Sequence, residues 1–144
     1  MYYIVGAYLS KQNSIVLNAT ATNQIGLNAS TNRYTVIDPP YTAEEVGTEI
    51  LKLFQLCLNE PDWKEEISGI LPEMLGYETR SKFNKAYFHV IIQMFLDRQV
   101  YEFTPMKKEG SGYINNGKTK VAIPFNATKN QIGEALLDVF KMRN

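Results

Sequence analysis

Residues 121–140 read VAIPFNATKNQIGEALLDVF, and residues 35–54 read TVIDPPYTAEEVGTEILKLF. Both stretches have the pattern of a short β-strand, a turn, a threonine suited to a helix N-cap and an amphipathic helix. Each helix carries a glycine in its second turn, Gly47 in one and Gly133 in the other. Because a glycine inside a helix costs about 1 kcal/mol against alanine, we expect these two to allow close packing of each helix onto a sheet.

The matching stretches belong to a longer repeat. When the chain is shifted by 86 residues, residues 1–58 lie on residues 87–144 without a gap. Predicted strands then coincide with predicted strands, and the two helices coincide with their caps and glycines in register. The matched elements are 2–9 with 88–95, 14–21 with 100–107, 34–37 with 120–123, and 42–58 with 128–144. Each half therefore has the predicted order β-β-β-α.

The predicted fold class is α+β, with an antiparallel sheet or sheets built from two β-β-β-α units related by internal duplication. Neither unit can bury its apolar face alone, so we expect the helices to pack on a sheet that the halves share or face across. The length of 144 residues predicts a single domain over 1–144. Within it we expect a first half over 1–58, an acidic helical bridge over 59–86 and a second half over 87–144.

Two segments of the second half have contrasting patterns. Residues 87–96 give the strongest strand signal, with one face made only of apolar side chains: Phe88, Val90, Ile92, Met94 and Leu96. Residues 107–118 are polar and contain several glycines, which predicts an exposed loop. The sequence therefore predicts a strand at 87–96 and an exposed turn or loop at 107–118.

The overall composition is that of an ordinary globular protein, with 44% hydrophobic and 21% charged residues. A net charge of zero argues against nucleic-acid or membrane binding by bulk attraction. The single cysteine fits a reducing compartment, and the sequence shows neither a secretion signal nor a membrane-spanning stretch. We therefore expect a cytoplasmic protein.

Few residues in the chain have the chemistry of a catalytic site. Cys57 lies on an apolar helix face, which is typical of a buried structural thiol rather than a nucleophile. The one histidine, His89, lies in a strong strand beside aromatic residues, which is typical of a core or interface position. One histidine and one cysteine do not make a metal site, and no phosphate-binding loop precedes a helix. The sequence predicts no catalytic residue, metal or cofactor, and therefore no enzyme.

Charge is unevenly distributed along the chain. Residues 59–78 hold six acidic residues and one basic residue, a net charge of −5, whereas residues 79–144 hold eleven basic and five acidic residues, a net charge of +6. The acidic run has two interpretations, a solvated helix face or a surface that docks a basic partner. Trp63 is either an aromatic anchor for that partner or a core residue. The candidate partner-binding residues are Glu60, Asp62, Trp63, Glu65, Glu66, Glu73 and Glu78.

Short motifs from residue 75 onward resemble a known family. They are a Leu-Gly turn at 75–77, the strand end Phe-Thr-Pro-Met at 103–106, Val-Ala-Ile-Pro at 121–124 and Gln-Ile-Gly-Glu-Ala-Leu-Leu at 131–137. Together they are similar to the immunity proteins of bacterial contact-dependent growth inhibition systems, and the first half resembles the N-terminal strands and glycine-containing helix of the same family. The family's tryptophan after the Leu-Gly turn is absent here, where Arg80 and Phe83 stand.

The resemblance implies a cytoplasmic, non-enzymatic protein of bacterial competition. Such a protein binds its cognate toxin, the C-terminal domain that a neighbouring cell delivers, commonly a nuclease. It neutralises the toxin by blocking its active site or substrate surface. A basic toxin would suit the acidic bridge, and the resemblance implies no nucleic acid or membrane as a partner; the oligomeric state stays open. The alternative function is a small cytoplasmic ligand- or regulator-binding domain, which would need an apolar pocket with a few converging polar groups.

Overall fold

The computed structural model describes residues 2–22, 28–59, 71–109, 112–115 and 120–142. In these residues the chain forms strands and helices in the order β1 (Tyr2–Ser10), β2 (Ile15–Thr22), β3 (Asn28–Ile37), α1 (Ala43–Asn59), α2 (Leu71–Met74), α3 (Arg80–Ala86), β4 (Tyr87–Phe95), β5 (Val100–Glu109), β6 (Gly112–Asn115), β7 (Val121–Pro124) and α4 (Lys129–Phe140). No helix in this part of the chain is long and apolar enough to cross a membrane.

The described strands form one antiparallel sheet in the order β3-β2-β1-β4-β5, and β5 continues into two further pairings. Its first half pairs with β7, from Val100 opposite Pro124 to Phe103 opposite Val121, and its far end pairs with β6. The helices pack on this sheet, which confirms the predicted α+β class. The centre of the sheet is the β1–β4 pair, and β4 is the strand predicted at 87–96.

One face of the sheet, the front face, carries the main core. Alternate residues of the central strands point to it because successive side chains in a strand face opposite sides. Helices α1 and α4 cover this face with the buried side chains of their apolar stripes. The fully buried members include Val5, Ile15, Ile50, Phe54, Ile92, Phe103, Ile132 and Leu136.

The opposite face of the sheet, the back face, carries a smaller cluster. Tyr8 and Val16 point to this face and pack against Leu71 of α2 and Phe83 of α3. The described end of the predicted bridge therefore lies behind the sheet, on the side away from α1 and α4. Sequence patterning did not reveal this placement, because an apolar stripe on a short helix does not say which sheet face it covers.

The expectation for the two helical glycines was wrong in one respect: they pack helix against helix rather than helix against sheet. A Cβ atom on Gly47 would overlap the carbonyl oxygen of Lys129, and one on Gly133 would overlap the carbonyl oxygen of Ala43. The first turn of each helix therefore packs directly against the glycine of the other helix. The absence of a side chain lets the two backbones touch at the crossing.

Strand pairing corrects the ungapped alignment of the two halves by one residue at the first strand. A shift of 85 residues brings the front-face residues of β1 onto those of β4, for example Val5 onto Val90. A shift of 86 residues brings the front-face residues of β2 onto those of β5, for example Ile15 onto Tyr101. A shift of 86 in β1 would turn its core residues to the back face, since one residue reverses the side-chain direction.

The β1–β4 pairing is also symmetric about the pair Gly6–Ile91. The elements of the two halves are thus related by an approximate two-fold axis through the sheet centre.

The margins of the sheet differ from the sequence prediction. The third strand begins at Asn28 rather than near residue 34, and part of the predicted loop over 107–118 is strand instead. In that segment β5 runs to Glu109 and pairs with β6, with Lys108 opposite Tyr113. Polar residues and glycines predict a loop, but pairing with a neighbouring strand outweighs these local preferences.

Candidate functional site

Two of the candidate residues in the acidic bridge lie in the described part of the chain. Glu73 in α2 and Glu78 after it are both exposed, and Glu78 Oε2 lies 2.8 Å from Lys82 Nζ. The other five candidates, Glu60, Asp62, Trp63, Glu65 and Glu66, fall outside the described residues. A docking role for the acidic bridge therefore stays a prediction.

The end of the bridge is held against the back face by aromatic packing. Phe83 is fully buried, and its ring centroid lies 5.1 Å from that of Tyr8, 5.5 Å from that of Tyr77 and 4.9 Å from that of Tyr87. Such offset and edge-on contacts are the favoured geometries of aromatic pairs. The packing fixes α3 on the sheet, so the exposed residues of this segment have a rigid support.

Local capping signals in the sequence explain the turns of this segment. Gly76 follows α2 with a φ of +85°, a conformation that costs glycine little. Its N–H donates to the carbonyl of Glu73 (3.0 Å), and the next N–H, of Tyr77, donates to that of Pro72 (2.9 Å), which satisfies the last carbonyls of the helix. Thr79 then caps α3 by accepting a hydrogen bond from the N–H of Lys82 (3.1 Å).

A groove of about 450 Å³ lies between this segment and the edge of the sheet. Its walls include Val36 and Asp38 from the end of β3, and Tyr77 and Tyr87 from the bridge side. Burial first, and then the hydrogen bond and charge interaction with Tyr77, raise the pKa of Tyr87 above its ordinary value. All three causes favour the neutral phenol. Tyr87 therefore serves as a packing and hydrogen-bonding group at neutral pH, not as a base.

A second groove, on the other side of β3, is acidic. It has a volume of about 630 Å³ and runs between β3 and the first turns of α1. Four carboxylates line it, those of Asp38, Glu44, Glu45 and Glu49, without a basic residue among the lining side chains. Sequence reasoning missed this surface because first-turn glutamates are ordinary complements to the helix dipole. The signal that could have found it is the run of acids spanning the strand end and the helix start.

Cys57 and His89, the two side chains best suited to catalysis, lie in the packed interior. Cys57 is buried, its Sγ lies 3.9 Å from the carbonyl oxygen of Thr20, and burial raises the pKa of its thiol to about 11. The thiol is thus protonated and unreactive at neutral pH. His89 is buried with its ring stacked on Tyr8, the ring centroids lying 4.3 Å apart. Within the described residues, no group of three or more His, Cys, Asp or Glu side chains is placed to hold a metal ion.

Comparison with solved structures identifies the class of fold. The fold is similar to that of a protein of unknown function from Neisseria meningitidis, with a TM-score of 0.74 at 14% identity over 100% of this chain and 96% of that chain. It is also similar to a chain of the CdiA-CT/CdiI toxin and immunity complex from Yersinia pseudotuberculosis, with a TM-score of 0.73 at 11% identity over 100% of this chain and 98% of that chain. The chain therefore has a fold found in a toxin–immunity complex. No family model and no curated protein matches the sequence.

Proposed function

We propose that this chain is an immunity protein that binds and neutralises a cognate toxin domain delivered by contact-dependent growth inhibition. The observation that carries the proposal is the full-length likeness to a chain of a CdiA-CT/CdiI toxin and immunity complex. The sequence motifs around 75–77, 121–124 and 131–137 support it independently, because they resemble the immunity proteins of such systems. The protein acts in the cytoplasm, as a binder and not as an enzyme.

Its surface charge suits a basic toxin such as a nuclease. Nucleases bind a polyanion and therefore present cationic substrate surfaces, which an inhibitor can cover with carboxylates. The acidic groove beside α1 and the exposed Glu73 and Glu78 lie on two sides of the sheet edge at β3. The acidic bridge, with Glu60, Asp62, Glu65 and Glu66 as contacts and Trp63 as anchor, is the proposed centre of the interface.

The proposal is tested with the toxin domain encoded beside the gene. Cells that express the toxin domain alone should stop growing, and co-expression of this chain should restore growth. The two proteins should also co-elute as a stable complex in size-exclusion chromatography. Growth arrest that persists despite well-expressed, folded protein, together with separate elution, would contradict the proposed function.

The role of the acidic bridge has its own test. Reversing the charges with Glu65→Lys and Glu66→Lys should slow association with the toxin, more at low than at moderate salt, because screening shortens the range of steering. Glu134→Lys with Asp138→Lys, on exposed positions of α4, is the matched control with the same change in net charge. Equal association rates for the two double variants at both salt concentrations would show that the bridge is not part of the interface. The proposed function would still stand.

The alternative, a ligand- or regulator-binding domain, has one specific feature in its favour. The groove of about 450 Å³ beside Tyr77 and Tyr87 combines apolar walls with the hydroxyl and carboxylate groups of Ser14 and Asp38. Ser14 Oγ already donates to Asp38 Oδ1 at 2.7 Å, which leaves fewer free groups to bind a ligand. A small molecule that protects these residues in solution and raises the melting temperature would favour this alternative.

A further inference from the structure

One corner of the back face gathers two aromatic and two basic residues around a carboxylate. Tyr2 and Phe95 are cross-strand neighbours on β1 and β4, with ring centroids 5.3 Å apart. The guanidinium carbon of Arg98 lies 4.0 Å above the Phe95 ring, and Arg98 Nη1 lies 3.1 Å from Glu102 Oε2. Lys120 Nζ approaches the other oxygen of Glu102 at 3.3 Å. We name these five residues the basic–aromatic corner.

The basic groups of this corner face solvent while its acid does not. The side chains of Arg98 and Lys120 are 53% and 57% exposed, whereas that of Glu102 is 9% exposed. Two cations share one buried carboxylate, so the five residues of the corner together carry a net charge of +1. Tyr2 is also among the exposed large hydrophobic residues, at 44%. A partner would therefore meet aromatic surface bordered by positive charge.

The approximate two-fold axis supplies an internal comparison for this corner. It places Tyr2 in correspondence with Tyr87, and Glu102 in correspondence with Val16. Tyr87 and Val16 lie in the opposite corner of the back face, where Phe83 of α3 and Leu71 of α2 cover them. The molecule thus contains two equivalent corners, of which one receives a short helical segment with a buried phenylalanine. In the other corner, Tyr2, Arg98 and Lys120 remain exposed.

We propose that the basic–aromatic corner docks a segment of a partner protein that carries an apolar or aromatic side chain flanked by carboxylates. The apolar side chain packs on Tyr2 and Phe95, as Phe83 packs in the equivalent corner, and the carboxylates pair with Arg98 and Lys120. Tyrosine and arginine are enriched among the residues that dominate binding energy in protein interfaces. The proposal extends beyond toxin binding. The acidic bridge suits a basic toxin, whereas the basic–aromatic corner suits an acidic segment of a partner protein.

A peptide probe tests the chemistry directly. The probe is an acetylated and amidated peptide with a central Phe-Leu pair flanked on each side by three glutamates, titrated into the isotopically labelled protein. Amide chemical-shift changes should concentrate at Tyr2, Phe95, Arg98 and Lys120, and the same peptide with lysines in place of the glutamates should cause none there. Arg98→Glu with Lys120→Glu should weaken binding about tenfold, as expected for the loss of two partly exposed ion pairs.

Matched variants separate a local effect from net charge and from misfolding. Lys52→Glu with Lys141→Glu changes the same charge at residues 68% and 79% exposed on α1 and next to α4, and should leave binding unchanged. If the corner reversal fails to fold, Arg98→Met, Glu102→Met and Lys120→Met together remove the buried carboxylate with its cations and should also lose the peptide. Tyr2→Ser, at an exposed position, should weaken binding through lost apolar contact.

Three results would overturn the proposal. The first is a set of shift changes centred on another surface. The second is equal affinity for the corner and control charge reversals. The third is a single-stranded oligonucleotide of matched charge that binds the corner more tightly than the peptide, which would assign the aromatic and basic groups to nucleic acid instead. None of these depends on whether the chain neutralises a toxin.

Discussion

Replacing either helical glycine by alanine should destabilise the protein because both lie at a backbone-to-backbone crossing. A Cβ atom on Gly47 would lie 2.7 Å from the carbonyl carbon of Lys129 and 3.1 Å from the nitrogen of Gly133. A Cβ atom on Gly133 would lie 2.6 Å from the carbonyl carbon of Ala43. Ordinary contacts of this kind begin at 3.4 Å, and no side-chain rotation can relieve a clash with backbone. The two helices would have to separate by about 1 Å.

The size of the effect follows from two opposing terms. Overpacking costs about 1–3 kcal/mol and more when the backbone must shift, while alanine recovers about 1 kcal/mol of helix propensity. Because both helices lose contact along the crossing, we expect a net loss of about 2–3 kcal/mol for Gly47→Ala and for Gly133→Ala. The double variant should lose less than the sum, since one separation relieves both clashes.

Urea denaturation followed by circular dichroism measures these free energies of unfolding. Gln55→Ala, at an exposed position of α1, is the control and should stay within about 0.5 kcal/mol of the parent. A glycine replacement that raises stability by about 1 kcal/mol, the gain in propensity alone, would refute the close crossing.

Three further predictions concern individual side chains. Thr128→Ala should cost about 1 kcal/mol in urea denaturation, because Thr128 accepts a hydrogen bond from the N–H of Gln131 and donates its own N–H to the Gln131 side chain (2.8 Å); no loss would contradict the capping box. Cys57, with a thiol pKa of about 11, should react with a disulfide reagent at neutral pH far more slowly in the folded than in the urea-unfolded protein; equal rates would contradict its burial. The raised pKa of Tyr87 means that the folded state holds the phenol proton more tightly, so its stabilising effect is complete below about pH 10 and is lost as pH rises further. Tyr77→Phe should flatten this alkaline loss in denaturation curves, and an unchanged slope would exclude the Tyr77–Tyr87 interaction as a cause.

The sequence predicted the elements that obey a simple period. The alternation in 87–96 correctly assigned Val90, Ile92 and Met94 to one buried face, and the α1 and α4 stripes were confirmed in the core. Local signals did not reveal long-range partners. A glycine inside a helix indicates that another element packs closely against it, but the sequence does not identify that element. The reciprocal contacts of Gly47 and Gly133 are therefore visible only in the structure. The one-residue offset at β1 was hidden for the same reason, because only strand pairing fixes register.

The candidate site was harder to predict than the fold. Runs of acidic residues are visible in a sequence, as in the bridge, but a surface assembled from separate elements is not. The acidic groove joins Asp38 at a strand end to Glu44, Glu45 and Glu49 on a helix. The basic–aromatic corner joins residues from β1, β4, the turn between β4 and β5, β5 itself and the chain before β7. Which residues take part in recognition also depends on the surface of the partner, and this sequence contains no information about that surface.

The central claim, neutralisation of a toxin domain, is tested most directly by titrating the purified toxin's activity with this protein. The proposed function predicts that activity falls linearly and ends at a one-to-one molar ratio, as expected for tight binding over the active site or substrate surface. The heat-unfolded protein should have no effect. Full toxin activity in the presence of a large molar excess of folded protein would contradict the claim.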